Sequence, residues 1–151
     1  MRLYLVRHGK AEPGADDHAR RLTARGRSDV EKVARRMRKA EVRVGLVEHS
    51  GLVRAVETAE IVAAAIGGTT VQVDDLQPLA DVARAGRRLE ASQADAVMLV
   101  GHQPYMGRMA SYLLTGDPDV PLLHITTAGV VCLTGDEGRW QLEWLLTPDI
   151  A

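Results

Sequence analysis

Apolar residues occur along this chain in two alternating rhythms. Leu3-Tyr4-Leu5-Val6 and Ala96-Val97-Met98-Leu99-Val100 are unbroken apolar runs of strand length, the pattern of strands covered on both faces in a parallel sheet. Between them, Val30, Val33, Ala34 and Met37 recur at spacings of three and four, which predicts an amphipathic helix opening at Thr23, a good N-cap residue. Gly26 lies on that same face, where a glycine costs about 1 kcal/mol against alanine unless close packing requires it. Val44 to Val47 reads as a second strand. Ser50 is placed to cap a helix from about Leu52 to Ile66, which Gly67-Gly68 terminates. A third strand is expected over Thr70 to Val73 and a further helix over Asp81 to Ser92. Pro104 suits the first turn of another helix, from Tyr105 to Leu114. Val130 to Thr134 and Trp140 to Leu146 flank Gly135-Asp136-Glu137-Gly138 as the arms of a hairpin. Strict alternation would place Trp140, Leu142, Trp144 and Leu146 on one buried face. Strands alternating with helices predict an α/β fold with a mostly parallel sheet, and the polar stretch Lys10 to Arg21 is expected to be a loop.

Composition changes this picture little. The 151 residues carry 46% hydrophobic and 26% charged side chains, values of a globular chain. A formal net charge of -1 gives no general attraction to nucleic acid or to an anionic membrane. Of 19 basic residues, 16 are arginine, and the basic face at Arg35, Arg36 and Lys39 reads as solvated surface. The single cysteine, Cys132, has no disulfide partner and sits in an apolar run, as a small buried hydrophobe does. The N-terminal apolar stretch is too short for a signal peptide, so a cytoplasmic location is expected. The sequence carries no signal for oligomeric state.

The candidate chemistry lies at strand ends. Arg7 and His8 close the first strand and are followed by Gly9, which lets the backbone turn and leaves the imidazole open. Arg54 falls in the first turns of the helix after the second strand, and His102 ends the Ala96–Val100 strand. In an open α/β sheet, ligands bind in the crevice at these carboxyl ends, so two histidines and two arginines are expected to converge there. Ser50 and the free amides of the helix start would add affinity for an anion. Each residue also has a plainer reading. Arg54 can pair with Glu57 on its own helix, and His102 can be a capping or core histidine.

Four segments carry a resemblance: Leu5-Val6-Arg7-His8-Gly9, Arg20-Arg21-Leu22-Thr23-Ala24-Arg25-Gly26, Ser50 to Ala59 with Arg54 inside it, and Val100-Gly101-His102-Gln103-Pro104. In order and spacing they resemble the histidine phosphatase superfamily (phosphoglycerate mutase-like), and within it the small SixA-type phosphohistidine phosphatases. The resemblance implies one domain over residues 1–151, with a three-layer αβα sandwich around a mostly parallel central sheet. It implies a metal-independent and cofactor-free phosphatase, with His8 as the nucleophile that becomes a phosphohistidine. Arg7 and Arg54 would clamp the phosphate oxygens and His102 would complete the pocket as an imidazolium donor, with Gly9, Arg20 and Ser50 also contacting the substrate. Relatives have Pro-Leu-Thr where this chain has Arg21-Leu22-Thr23, which leaves open whether Arg20 or Arg21 turns inward. They also have Ser-Pro where this chain has Ser50-Gly51.

The general acid of many relatives has no obvious counterpart. Where they carry a carboxylate after the third strand, this chain reads Asp74-Asp75-Leu76-Gln77-Pro78-Leu79-Ala80-Asp81, with glutamine near the expected position and Asp75 and Asp81 as substitutes. An alkoxide leaving group needs a positioned proton donor, whereas an imidazole nitrogen is far easier to protonate. The expected substrate is therefore a phosphohistidine on a signalling or phosphotransfer protein. A small phosphorylated metabolite hydrolysed with Asp75 or Asp81 as acid is the alternative. A non-catalytic phosphate-binding module is a third reading, and it would have no need for an unprotonated nucleophile.

Overall fold

The computed structural model describes residues 1–151. One six-stranded sheet is built from β1 (Arg2–Arg7), β2 (Leu46–His49), β3 (Thr69–Gln72), β4 (Ala96–Gly101), β5 (Val130–Asp136) and β6 (Arg139–Leu146). The spatial order is β3-β2-β4-β1-β5-β6, with the first four strands parallel and the β5–β6 hairpin antiparallel to β1. Helices α1 (Ala24–Lys39) and α2 (Val53–Ile66) cover one face, and α3 (Val82–Glu90) and α4 (Tyr105–Thr115) cover the other. The expected three-layer α/β sandwich is the observed one.

The apolar runs of β1 and β4 divide between two cores by the two-residue period of a strand. Tyr4, Val6, Met98 and Val100 point to the α1/α2 side, while Leu3, Leu5, Val97 and Leu99 point to the α3/α4 side. On α1, the Thr23 side chain accepts the Gly26 N–H at 2.8 Å, and Gly26, Val30, Val33, Ala34 and Met37 are all buried. Gly26 is there because the chain after β1 crosses against it: a Cβ at this position would lie 2.1 Å from the Lys10 carbonyl oxygen. Arg35, Arg36 and Lys39 are exposed, as expected of a solvated face.

Three expectations need correction. The second strand is Leu46–His49 and not Val44–Val47, so it runs two residues further and takes in Glu48 and His49. Glu48 is tolerated there because Arg88 of α3 donates to its carboxylate at 2.9 Å. The hairpin register shifts between Cys132 and Leu133, pairing Cys132 with Trp144 but Leu133 with Leu142. That bulge absorbs Glu143 and turns the stripe over, so Trp144 and Leu146 pack on the α1/α2 core while Trp140 packs on the opposite one. Finally, Ser50 does not cap α2, whose N-cap residue is Leu52 with no side-chain bond.

The turn between β2 and α2 depends on Gly51, whose φ is +87°, a region glycine enters freely and proline cannot. Gly51→Pro, which would restore the Ser-Pro of relatives, is expected to destabilise the fold by more than about 1 kcal/mol in chemical unfolding. Gly26→Ala pits helix propensity, a gain of about 1 kcal/mol, against a backbone clash that overpacking data put at about 1–3 kcal/mol. The clash is expected to win. Urea titration should show a lower midpoint for Gly26→Ala; an unchanged or higher midpoint would contradict the close approach to Lys10.

Candidate active site

Register alone brings the candidate residues together. β1 pairs with β4 so that Arg7 lies beside Gly101, and β2 pairs with β4 so that His49 lies beside Val100. Each strand is followed by a polar residue, which sets His8, Ser50 and His102 side by side at the carboxyl edge. The His8 and His102 ring centroids are 5.0 Å apart. The His8 amide continues the ladder by donating to the Gly101 carbonyl at 2.9 Å, which fixes the backbone under the ring.

His8 Nδ1 is 2.7 Å from its neighbour's carbonyl, Gly9 O. Only a protonated Nδ1 can make that bond, so the Nε2 lone pair is the free one. Arg54 Nε approaches Nε2 at 3.4 Å as a donor. Burial, more than any other cause, lowers the His8 pKa to about 4. The Gly9 carbonyl opposes this, and the charges of Arg54, Arg7 and Arg20 add to it. His8 is therefore a neutral imidazole across the neutral range. Gly9 has a different role from the substrate contact expected of it. Its amide donates to Thr58 Oγ1 at 3.1 Å, and a Cβ would lie 2.7 Å from Val30 Cγ2, so this residue anchors the turn and orients His8.

The arginines surround the ring. Arg7 Nη1 donates to Ile125 O at 2.9 Å, leaving its buried Nε without a partner. Arg54 is almost fully buried, and its outer edge donates from Nη1 to Asp17 O at 2.7 Å and from Nη2 to Asp17 Oδ2 at 3.3 Å. Glu57, the plainer partner for Arg54, instead binds Arg21 Nε at 2.9 Å and the Leu22 amide at 2.8 Å. That pairing also separates Arg20 from Arg21. Arg21 is held away on Glu57, whereas Arg20 bonds Glu12 O at 2.7 Å and Asp17 Oδ1 at 3.0 Å, close enough for its charge to act on His8.

His102 is buried, and its Nε2 lies 2.6 Å from Ser50 Oγ. Ser50 Oγ also accepts the Leu52 amide, at a long 3.4 Å. A serine oxygen that accepts one amide keeps a second lone pair, so the short Ser50–His102 bond fits a ring proton on either nitrogen. His102 Nδ1 is buried without a hydrogen-bond partner. Burial first, then the charges of His8 and Arg54, lowers the His102 pKa to about 3, so the expected imidazolium is a neutral ring here. The helix start offers less than expected to an anion, because the Gly51 amide binds His49 Nδ1 and the Val53 amide binds His18 O. Ser50 serves the site by orienting His102.

Neither substitute acid is free. Asp75 is buried in a two-pronged bond with Arg88, at 2.9 and 3.0 Å. Asp81 is the exposed N-cap of α3, where it accepts the Ala83 amide at 3.0 Å. Gln77 donates to Ser50 O at 2.7 Å and so stands beside the pocket as an amide. Two contributors escaped the sequence reading. Thr58 lies four residues after Arg54, one helical turn along α2, and that spacing could have pointed to it. Asp17 sits in an aperiodic polar loop with no such signal.

Comparison with known proteins identifies the family. The profile of the histidine phosphatase superfamily (branch 1) matches residues 3–80. An uncharacterized protein of Picosynechococcus sp. is 35% identical over 150 residues, covering 93% of this chain and 89% of its own. Among solved structures, the protein histidine phosphatase SixA complexed with tungstate superposes with a TM-score of 0.90 at 26% identity, over 99% of this chain and 98% of that one. An Agrobacterium tumefaciens protein provisionally described as a phosphohistidine phosphatase SixA gives 0.84 at 28% identity, over 97% of each chain. The α-ribazole phosphatase of Shigella flexneri shares the fold, with a TM-score of 0.81 at 18% identity over 100% of this chain and 98% of that one. The chain belongs to the histidine phosphatase superfamily, branch 1, and is of the SixA type.

Proposed function

We propose that residues 1–151 act as a single phosphatase domain that removes phosphate from phosphohistidine on a cytoplasmic signalling or phosphotransfer protein, through a phosphorylated His8. The observation that carries this reading is the state of His8: neutral, pinned at Nδ1, with Nε2 facing Arg54 and ringed by cations. The similar protein histidine phosphatase SixA was solved complexed with tungstate, a tetrahedral oxyanion like phosphate, which supports the reading.

In the first step Nε2 attacks phosphorus, the P–N bond to the substrate imidazole breaks, and the departing ring takes a proton. Charge on the transferring group is spread over its three equatorial oxygens. Arg7, Arg20 and Arg54 meet that charge as fixed cations beside the neutral His102 ring, all in place before the reaction. Guanidinium forks match phosphate oxygens better than ammonium groups do. In the second step water attacks phosphorus, the bond to Nε2 breaks, and inorganic phosphate leaves. Supplying three guanidiniums and an imidazole, the chain itself provides the charge stabilisation that a metal gives in other phosphatases.

Substrate class follows from the proton inventory. Asp75 is locked on Arg88 and Asp81 on a helix N-terminus, so an alkoxide leaving group would meet no poised acid. Positioned acids typically contribute 10²–10⁴ in rate, a loss that an easily protonated imidazole leaving group does not incur.

Rapid quenching with radiolabelled phosphoramidate should trap an acid-labile, alkali-stable label on the wild type that is absent from His8→Ala. A chelator should leave turnover unchanged, and a phosphohistidine peptide should be hydrolysed at least about a hundredfold faster than small phosphate esters. Preference for esters that vanishes in Asp81→Ala would overturn the substrate assignment. The ring of His8 should titrate in nitrogen-resolved NMR with a midpoint of about 4, remaining neutral as pH falls from 8 to 5 and gaining its proton only below that. A midpoint near 6.5 would mean that burial and the arginines do not act on it.

A further inference from the structure

The geometry points to the carboxylate of Asp17 as the proton acceptor for the water that hydrolyses phosphorylated His8. This inference rests on the His8 reading above and extends it to the second step. Among the hydrogen bonds and ion pairs made by Arg7, His8, Arg20, Arg54 and His102, Asp17 supplies the only carboxylate. One guanidinium links it to the nucleophile: Arg54 presents Nε to His8 Nε2 at 3.4 Å and Nη2 to Asp17 Oδ2 at 3.3 Å. Arg54 thus keeps its inner edge for the phosphoryl group and holds Asp17 on its outer edge. The Asp17 side chain is 63% exposed, at the rim where water enters.

The loop that carries Asp17 is tied down on both sides. Its Asp17 carbonyl accepts Arg54 Nη1 at 2.7 Å, the next carbonyl, His18 O, accepts the Val53 amide at 3.0 Å, and Arg20 bonds back to Glu12 O at 2.7 Å. The carboxylate is therefore held in place by backbone contacts to α2, independent of any bound substrate. The hydrogen bond from Arg20, and then the charge of Arg54, hold the Asp17 carboxyl below the usual carboxylate range. It is ionised at neutral pH, a state that can accept a proton and cannot donate one.

The step balances. Water oxygen forms a bond to phosphorus, the P–Nε2 bond breaks with its electron pair returning to His8, and the water proton passes to Asp17, which then loses it to solvent. Inorganic phosphate is the product and both residues regain their starting states. The first step, with an imidazole leaving group, makes no demand on Asp17.

Asp17→Asn keeps a hydrogen-bonding side chain of the same shape but removes the base. With a phosphohistidine peptide as donor, this variant should release one equivalent of peptide per enzyme at the wild-type rate. Turnover should then fall by about a hundredfold, and phosphorylated His8 should accumulate in the steady state. Formate added to Asp17→Ala should restore part of the turnover. Equal slowing of the burst and of turnover would instead make Asp17 a positioning residue for Arg54, and unchanged turnover would make it a bystander; either result overturns the inference. Turnover by the wild type without any label on His8 would overturn the underlying covalent reading, and this inference with it.

Discussion

Everything in the site depends on the register in which β2, β4 and β1 lie side by side. Parallel neighbours are about 4.8 Å apart, so residues at equivalent heights on three adjacent strands fall within the span of one phosphate and its ligands. The pairing of Arg7 with Gly101 and of His49 with Val100 puts His8 level with His102, and Ser50 one residue below them beside Gly101. The register is enforced from below by both cores. Sliding β1 by one residue would exchange Tyr4 and Val6 with Leu3 and Leu5 between the two faces, against helices whose buried stripes fit only one arrangement. The hydrophobic pattern that builds the sheet is therefore the same constraint that assembles the polar site.

Placing three arginines around a half-buried imidazole is costly unless each guanidinium has partners. The structure provides them mostly as carbonyl oxygens: Ile125 O for Arg7, Asp17 O for Arg54 and Glu12 O for Arg20. Carbonyls satisfy donor hydrogens without cancelling positive charge, so the pocket stays electropositive. On the far side of Ser50 the chain does the opposite, neutralising Arg88 with Asp75 and Glu48 in a closed ionic cluster. In the second arrangement the Asp75 carboxylate is not free, because its charge already belongs to Arg88.

Much of this was readable from the sequence where one principle acted alone. The unbroken runs of β1 and β4, the α1 stripe with its Thr23 cap and the unusual Gly26 all follow from periodicity and sterics, and they placed His8 and His102 correctly. Features set by competing contacts were not readable. Glu48 and His49 extend β2 although neither is apolar, because Arg88 compensates the first from another element. A single bulge at Glu143 splits a regular Trp–Leu alternation between two faces, and register shifts leave no mark on period-two patterns. Ser50 had a good capping context but faces the histidine that follows β4, a partner 52 residues away. Asp17 lies in a loop whose conformation is fixed by distant donors on α2, so its position in the site is purely tertiary.

The charge states of the site, taken together, define the proton traffic it can support. His8 and His102 are both neutral at pH 7 because burial and neighbouring cations disfavour a further positive charge. Asp17 is ionised because the same arginines favour its negative form. A site with neutral imidazoles and an ionised carboxylate has no proton poised to give. Hydrolysis of a phosphorus–oxygen bond needs a proton delivered to the leaving oxygen as it departs. For a phosphorus–nitrogen bond the leaving nitrogen is basic enough to collect its own from solvent, and the difficult proton is the one that must leave water in the second step. An electropositive pocket that keeps its carboxylate ionised and holds no carboxylic acid suits the phosphohistidine substrate proposed above. In that proposal the arginines act twice, once as the ligands of the phosphate and once by fixing the ionisation of the groups around it.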